Sequence, residues 1–547
     1  MAMYQPDGLK TDQPLLWSPG RGTDVWAMLC AARDGDLDTV ARLLERDSTL
    51  VQCSHDYRTP LAFAVRENRI EVAELLLERG ANPITSGTSD TLLEMARDRG
   101  LSRMETLLER ALAGPRSTAP QGMAVAAAIR SRDLAEVRTL LDADPELVHA
   151  ADEGTNQPIH WAAMTRQLEL IDELAARGAD LNARRADGAR PIQLSNGDYD
   201  YRGWRDVPKE VTTTSRQVLD RLRFLGAECD ICTAAAIGDL ERVRELLERD
   251  PSLANRPSDY ITYYPASGTP LRNAAGGGHL EIVRLLLAHG ADPNLREEGV
   301  APHGHALYSA VYNGHYEVAK VLLEAGAYPN PEVESSADAL SMAIGKGDQP
   351  MAELLASHGA ARSLQILAYY GDVVTAAAML AANSALADNP NALENAAIQG
   401  HEAFVRLLLR YRSDLATRIA VGLRSQGPQG AVQGRELVEL LFAHGMNPNF
   451  RNWLGLTPLH GFAQQGDLAS TTLYLDRGAD PNVRDEEYRS TPLGYAARRG
   501  RTEMVQLLLA RGAAPSLPDD PPWATPLAWA RRRGHTDIVL LLESASS

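Results

Sequence analysis

Cysteine is nearly missing from this 547-residue chain: Cys30, Cys53, Cys229 and Cys232 are the whole complement. Four thiols are too few to knit a disulfide scaffold. Cys229 and Cys232 have C-x-x-C spacing, but no second pair exists to complete a zinc site. Long apolar runs are missing too. Nothing approaches the ~18 residues of a membrane span, so no membrane partner is expected. Lysine is confined to Lys10, Lys209, Lys320 and Lys346, and almost all positive charge is arginine. Coding bias is the plainer reading; use of guanidinium groups for bidentate contacts is the functional one. Positive charge is outweighed, with Lys+Arg 55 against Asp+Glu 72 and a net charge of −17. Such a balance lacks the basic stripe of a phosphate-backbone binder, and no nucleic-acid partner is expected. Met1–Asp7 shows neither the basic start nor the apolar core of a secretory signal, which leaves a cytoplasmic protein as the simplest expectation. No G-x-S-x-G, Walker loop or H-E-x-x-H occurs. The run Ala274 to Gly278 holds three glycines inside a repeated unit and is a weak phosphate-loop candidate.

What the chain has in abundance is repetition. Thr269-Pro270-Leu271, Gly278-His279-Leu280, Leu285-Leu286-Leu287 and Gly290-Ala291-Asp292-Pro293-Asn294 mark one unit, and its relatives recur at about 33 residues. A threonine hydroxyl caps free amides and proline fits the first turn of a helix, so Thr-Pro predicts a helix start. Leu271, Ala274 and Ala275 form one short apolar face. Gly278 ends this helix in a left-handed cap. A second helix follows from His279, with Ile282, Val283, Leu286 and Leu287 at helical spacing. Gly290 stops it and Asp292-Pro293-Asn294 turns the chain. Neither helix buries its apolar side alone, so neighbouring units must stack.

The pattern T-P-L-x-x-A-A-x-x-G-H-x-x-x-V-x-x-L-L-x-x-G-A-D-P-N resembles the ankyrin repeat. The best copies are Thr59–Asn82, Pro158–Asn182, Thr269–Asn294, Thr457–Asn482 and Thr491–Pro515, with a last one at Thr525–Leu542. Weaker copies bring the total to roughly 16 between Trp26 and Leu542, over roughly 90% of the chain. The resemblance implies an all-α solenoid of stacked helix-turn-helix repeats with long loops, and implies little about activity. The expected organisation is an N-terminal extension over 1–25, repeats over 26–113, a linker over 114–122 and repeats over 123–547 with an insertion at 195–215. A longer rhythm overlies it. Gly35-Asp36-Leu37, Arg132-Asp133-Leu134, Gly238-Asp239-Leu240 and the fainter Gly371-Asp372 each open a group of repeats.

Function is sought where the repeat breaks. Three breaks lie close together: the insertion Ser195–Ser215 and the loops Arg256–Gly268 and Arg296–His305. Loops beyond about 12 residues are uncommon and often functional. The two later loops are expected to stand side by side; where the insertion folds is not readable from sequence. Although aromatics make up only 5% of the chain, Trp161, Tyr199, Tyr201, Trp204, Tyr260, Tyr263, Tyr264, Tyr308 and Tyr312 gather here. Such rings suit a binding surface; packing of the loops onto the stack is the plainer alternative. Arg272, next to Asn273, and Tyr308 replace the usual histidine of the repeat. Asp198, Asp200 and Arg202 in the insertion, with His303 and His305, complete the candidate binding set. Asp198, Asp200 and Asp206 lack the spacing of a calcium loop, and neither metal nor cofactor is expected. His160, His279, His315, His401, His460 and His535 sit at consensus positions and are assigned to packing.

The favoured expectation is a scaffold that binds a partner protein along its concave face, centred on residues 160–320. The acidic balance suits a partner with basic patches. The alternative is an enzyme, a hydrolase or lyase on a carbohydrate-like ligand, with acid–base groups drawn from Asp198, Asp200, Tyr263, His303 and Arg272.

Overall fold

The computed structural model describes residues 3–84, 87, 90–112, 120–152, 154–198, 201–203, 205–261, 265–297, 300–301, 303–331, 333, 338–423 and 434–545. Among them the regular elements are all helices, joined by loops with a few isolated bridges. None is long and apolar enough to cross a membrane.

The repeated unit forms as its residues dictate. The Thr269 hydroxyl accepts the Arg272 amide at 3.3 Å, Pro270 opens the first turn, and the helix Pro270–Gly276 follows. Gly278 turns the chain at φ 71°, and the second helix, Leu280–Ala288, begins two residues later. Thr59, Thr491 and Thr525 cap their helices in the same way. The longer rhythm also has a structural meaning. Asp36, Asp133, Asp239 and Asp372 cap second helices of 10 residues, one more than Leu280–Ala288. These helices run into short 3-10 turns whose amides bond the side chains of Asp47, Asp144, Asp250 and Asn383. The glycine stop is replaced there by a side-chain cap.

First helices pack on first helices and second on second: Ile231–Ile237, Pro270–Gly276, His305–Tyr312 and Ala339–Gly345 follow one another. Ala234, Ala235, Ala274, Ala275 and Ala310 are fully buried between them. A larger side chain there, such as Ala274→Leu, would force the helices apart at about 1–3 kcal/mol. Leu247, Val283, Leu286 and Leu322 fill the space between first and second helices, each contributing about 2 kcal/mol by leaving water. Polar ties repeat with the unit. Asn255 Nδ2 donates to Gly290 O at 2.7 Å and Asn294 Nδ2 to Gly326 O at 2.9 Å. His279 and His315 reach the carbonyls of Ala236 and Gly276 in the preceding repeat, the packing role assigned to them from sequence.

Residue contacts divide the chain into two compact units, Gly8–Ala361 and Met1–Asp7 with Arg362–Ser547. Of the expected linker, 114–119 lies outside the described residues and Pro120 onward forms the helix Pro120–Arg130.

Candidate functional site

The insertion lies in the Gly8–Ala361 unit, in a repeat whose first helix is cut to a 3-10 turn, Pro191–Leu194. Its second helix, Ser215–Phe224, resumes after Thr214 caps it. Between them the chain folds back onto the preceding repeat. Gly197, at φ 88°, bridges to Arg202, and Tyr201 meets the Trp161 ring edge-on at 5.7 Å. Arg166, in the turn after the Trp161 helix, donates to Asn196 Oδ1 at 2.6 Å and Ser195 O at 3.4 Å. This answers the question sequence left open: the insertion covers the first-helix side of its neighbour.

Beneath it lies a chain of internal polar contacts. Asp198 is 6% exposed; one oxygen accepts the Tyr201 amide at 2.9 Å and the other pairs with Arg185. Arg185 also binds Asn156 Oδ1 at 2.9 Å and Asp187 at 2.6 Å, and lies 5.7 Å from the Tyr260 ring centre. Asp152 gathers the amides of Gly154 and Asn156 and the Trp161 indole N–H, at 2.9, 2.8 and 2.6 Å. His160 is fully buried. Its Nδ1 accepts the Gln157 amide, so Nε2 carries the proton and donates to Ala183 O. Burial, aided by Arg185, pulls its pKa down to about 4; the ring is neutral at pH 7.

The two later loops meet, as their adjacent repeats require. Gln193 donates to Ser258 and to Ala266 O, which ties the insertion's repeat to the next loop. Asn273 holds Ala266 N and Ser267 O at 2.7 and 2.6 Å. Glu297 is fully buried at the centre. It accepts the Thr269 amide at 2.7 Å, pairs with His305, and has Arg272 Nε at 3.8 Å. Burial alone would raise its pKa, but the His305 and Arg272 charges and the hydrogen bonds outweigh it and hold it at about 2. A substituent on Gly268 would strike this carboxylate, so the close approach needs glycine.

The candidate residues therefore divide. Trp161, Asp198, Tyr260, Arg272, Asn273, His305 and Tyr308 are all under 9% exposed. Tyr201 and Arg202 are half-buried, as is His303, which meets Tyr328 edge-on at 4.3 Å. Tyr312 is 50% exposed, stacked on Tyr308, with the Lys346 ammonium 4.2 Å from its ring centre. Tyr199, Asp200, Trp204, Tyr263 and Tyr264 lie outside the described residues. Asp198 and Arg272 belong to separate networks joined through Gln193 and Ser258, not to one cluster.

Sequence reading passed over Asp152, Asn156, Arg185 and Glu297. A signal existed: Arg185, Ser258, Glu297, Asn452 and Asp485 each stand three places after a repeat-ending asparagine, and each bonds its own loop or an adjoining one. Cys229 and Cys232 border a cavity of about 280 Å³ with Arg184, Arg190 and Arg256. Burial raises both thiols' pKa, which disfavours the reactive thiolate. Among the described residues no group of metal-binding side chains assembles.

Comparison with known proteins agrees with this architecture. A family model described as "Ankyrin repeats (3 copies)" matches residues 15–86, 231–333, 429–519 and 460–546, and one described as "Ankyrin repeat" matches 156–186. Among curated relatives, the probable E3 ubiquitin-protein ligase XBOS32 of Oryza sativa subsp. japonica is 30% identical over 194 residues, 31% of this chain and 38% of that protein. The serine/threonine-protein kinase VIK of Arabidopsis thaliana is 34% identical over 122 residues, 19% of this chain and 28% of its own. Ankyrin repeat and SOCS box protein 6 of Pongo abelii is 26% identical over 252 residues, 43% and 51% respectively. The chain thus spans about half or less of these relatives' lengths.

Proposed function

The chain belongs to the ankyrin-repeat family, and from that premise we propose that it is a scaffold that binds a partner protein along the concave, first-helix face of the Gly8–Ala361 unit, centred on residues 160–320. The observation that carries this reading is the division of labour in the irregular region. Its loops are held by their own buried carboxylates, while Tyr312 is exposed beside Lys346 and Tyr201 stays half-exposed beside Arg166. A surface already ordered loses little entropy on binding, and accessible tyrosines beside cations are effective anchors. The relatives support recognition over any single chemistry. Their names describe a ligase, a kinase and a SOCS box protein, and the part shared with this chain is a fraction of each.

The enzyme alternative draws on Asp198, Asp200, Tyr263, His303 and Arg272. Asp198 and Arg272 are 6% and 3% exposed and bonded within the loops, His303 is half-buried against Tyr328, and Asp200 and Tyr263 lie outside the described residues, so recognition is preferred. The test is capture of host proteins on the immobilised full chain, beside a Tyr201→Ala Tyr312→Ala double variant, with retained proteins identified by mass spectrometry. A specific protein lost from the variant is the expected result. Retention of nothing, or equal retention by both chains, removes the reading.

A further inference from the structure

Most arginines around the insertion are paired with carboxylates. Arg138 takes Glu169 and Glu173, Arg177 takes Asp142, Arg190 takes Glu228 and Asp230, and Arg221 takes Asp172. Arg130, Arg132 and Arg166 depart from this. Arg130 is exposed, its guanidinium 5.0 Å from the centre of the Trp161 ring. Arg132 donates to Thr165 O at 2.7 Å. Arg166 donates to Ser195 O and Asn196 Oδ1. Their partners are a ring, carbonyls and an amide, so each is held in place while, among the described residues, no carboxylate pairs with it and most of its N–H groups are unused.

The three surround one spot. All lie close enough to Tyr201 to act electrostatically on its hydroxyl, and Tyr201 and Arg130 both rest on Trp161. Two described acids near this spot have partners of their own. Asp152 is buried under four N–H donors, and Asp206, which also acts on the Tyr201 hydroxyl, is held by Arg205 and the Arg202 amide. The net charge of −17 does not cancel this patch, because charges beyond about 8 Å are screened at physiological salt. Among the described residues, three guanidinium groups outnumber the Asp206 carboxylate around the Trp161–Tyr201 ring pair.

We propose that Arg130, Arg132 and Arg166, around the Trp161–Tyr201 ring pair, form a recognition site for a short segment of the partner protein rich in aspartate and glutamate. This deepens the scaffold reading and rests on it. It also reverses the partner charge inferred from bulk composition. The guanidinium groups are tied to different anchors, which suits several carboxylates along an extended segment better than one compact dianion. A nucleic acid is disfavoured because the same repeats carry Glu169 and Asp142, with side chains 73% and 67% exposed, and a long polyanion needs a continuous basic track.

The experiment titrates the full chain into four fluorescein-labelled probes read by anisotropy: an eight-residue glutamate-rich peptide, its glutamine counterpart, a phosphotyrosine peptide and single-stranded DNA. The glutamate-rich peptide should bind saturably, the glutamine peptide should not, and affinity should fall as salt rises from about 50 to about 300 mM. Arg130→Glu, a change at an exposed side chain, should weaken binding by at least about tenfold, and Arg130→Lys should restore much of it. Circular dichroism should show both variants folded like the parent. Binding unchanged by Arg130→Glu, absence of saturable glutamate-peptide binding, or tighter binding of phosphotyrosine peptide or DNA would overturn the assignment. A host protein retained equally by Arg130→Glu sinks the arginine site alone; retention of nothing by the parent chain sinks the scaffold reading.

Discussion

Arg185 and Arg130 carry the same group on neighbouring repeats and do opposite work. Arg185 is 7% exposed and closes on Asp187, Asp198 and Asn156. Arg130 is exposed and leans on the Trp161 ring. The difference teaches how to divide a polar region between fold and function. Groups that satisfy one another inside the loops hold shape; groups fixed in place but uncompensated face outward for something else. The Glu297 cluster belongs to the first kind, and the arginines around Tyr201 to the second.

Substitutions should separate the two regions by size of effect. Removing the central carboxylate comes first. Glu297→Ala takes the hydrogen-bond partner from the Thr269 amide and His305 and the opposite charge from beside the buried Arg272 guanidinium and should cost about 3–5 kcal/mol, read from urea unfolding at pH 7. A change under about 1 kcal/mol would show that the cluster is not what holds the two loops. Arg185→Ala strands Asp198 and Asp187 and should cost about 3 kcal/mol by the same measurement.

Acid should attack the inner network in two stages. His160, at about 4 in the fold against an ordinary 6.5, binds its proton more readily when unfolded. Its contribution is present above about pH 6.5 and is lost as pH falls toward 4. Glu297, at about 2 against 4.5, favours the fold above about pH 4.5 and loses that contribution between about pH 5 and 2. Unfolding midpoints followed down in pH should therefore fall in both windows. Glu297→Gln should flatten the lower one and, because the Glu297 charge holds up the pKa of the buried His305, steepen the upper; a lower limb identical in that variant would assign it to other carboxylates.

Smaller effects come at the boundary. In Asp152→Asn one oxygen still accepts the Gly154 and Asn156 donors while an N–H₂ group faces the Trp161 indole N–H that the other oxygen now accepts, a loss of about 1–2 kcal/mol. Trp161 emission should shift as its indole partner weakens, and an unmoved spectrum would count against the bond. At the outer patch, Arg130→Gln should change stability by less than about 0.5 kcal/mol while lowering affinity for a glutamate-rich peptide. A large drop in stability there would move Arg130 into the first class and erase the distinction.

The helix pairs were legible from single residues. Thr269 caps, Gly278 and Gly290 take positive φ, and Ala274 and Ala275 let helices approach. The aspartates of the longer rhythm proved to be caps as well. The site was less legible. Aromatic enrichment drew attention to the stretch that holds the proposed site, yet Trp161, Tyr260 and Tyr308 are buried, and the cations that distinguish the outer patch are ordinary arginines at helix ends and turns by sequence. Position three after the repeat-ending asparagine carried a signal, but one visible only after the loops at Arg185, Glu297 and Asp485 were compared in space.

The sequence by itself determined the repeating helix pair, because caps, glycine turns and alanine faces act within a few residues, and a period repeats the same local decision along the chain. Only the tertiary structure decided which polar groups cancel. Gln193 meets Ser258, Arg185 meets Asn156 and Arg166 meets the insertion across separations of 65, 29 and 30 residues. Whether a charge is neutralised depends on what stands within a few ångströms of it, and stacking the repeats is what brings those groups into reach.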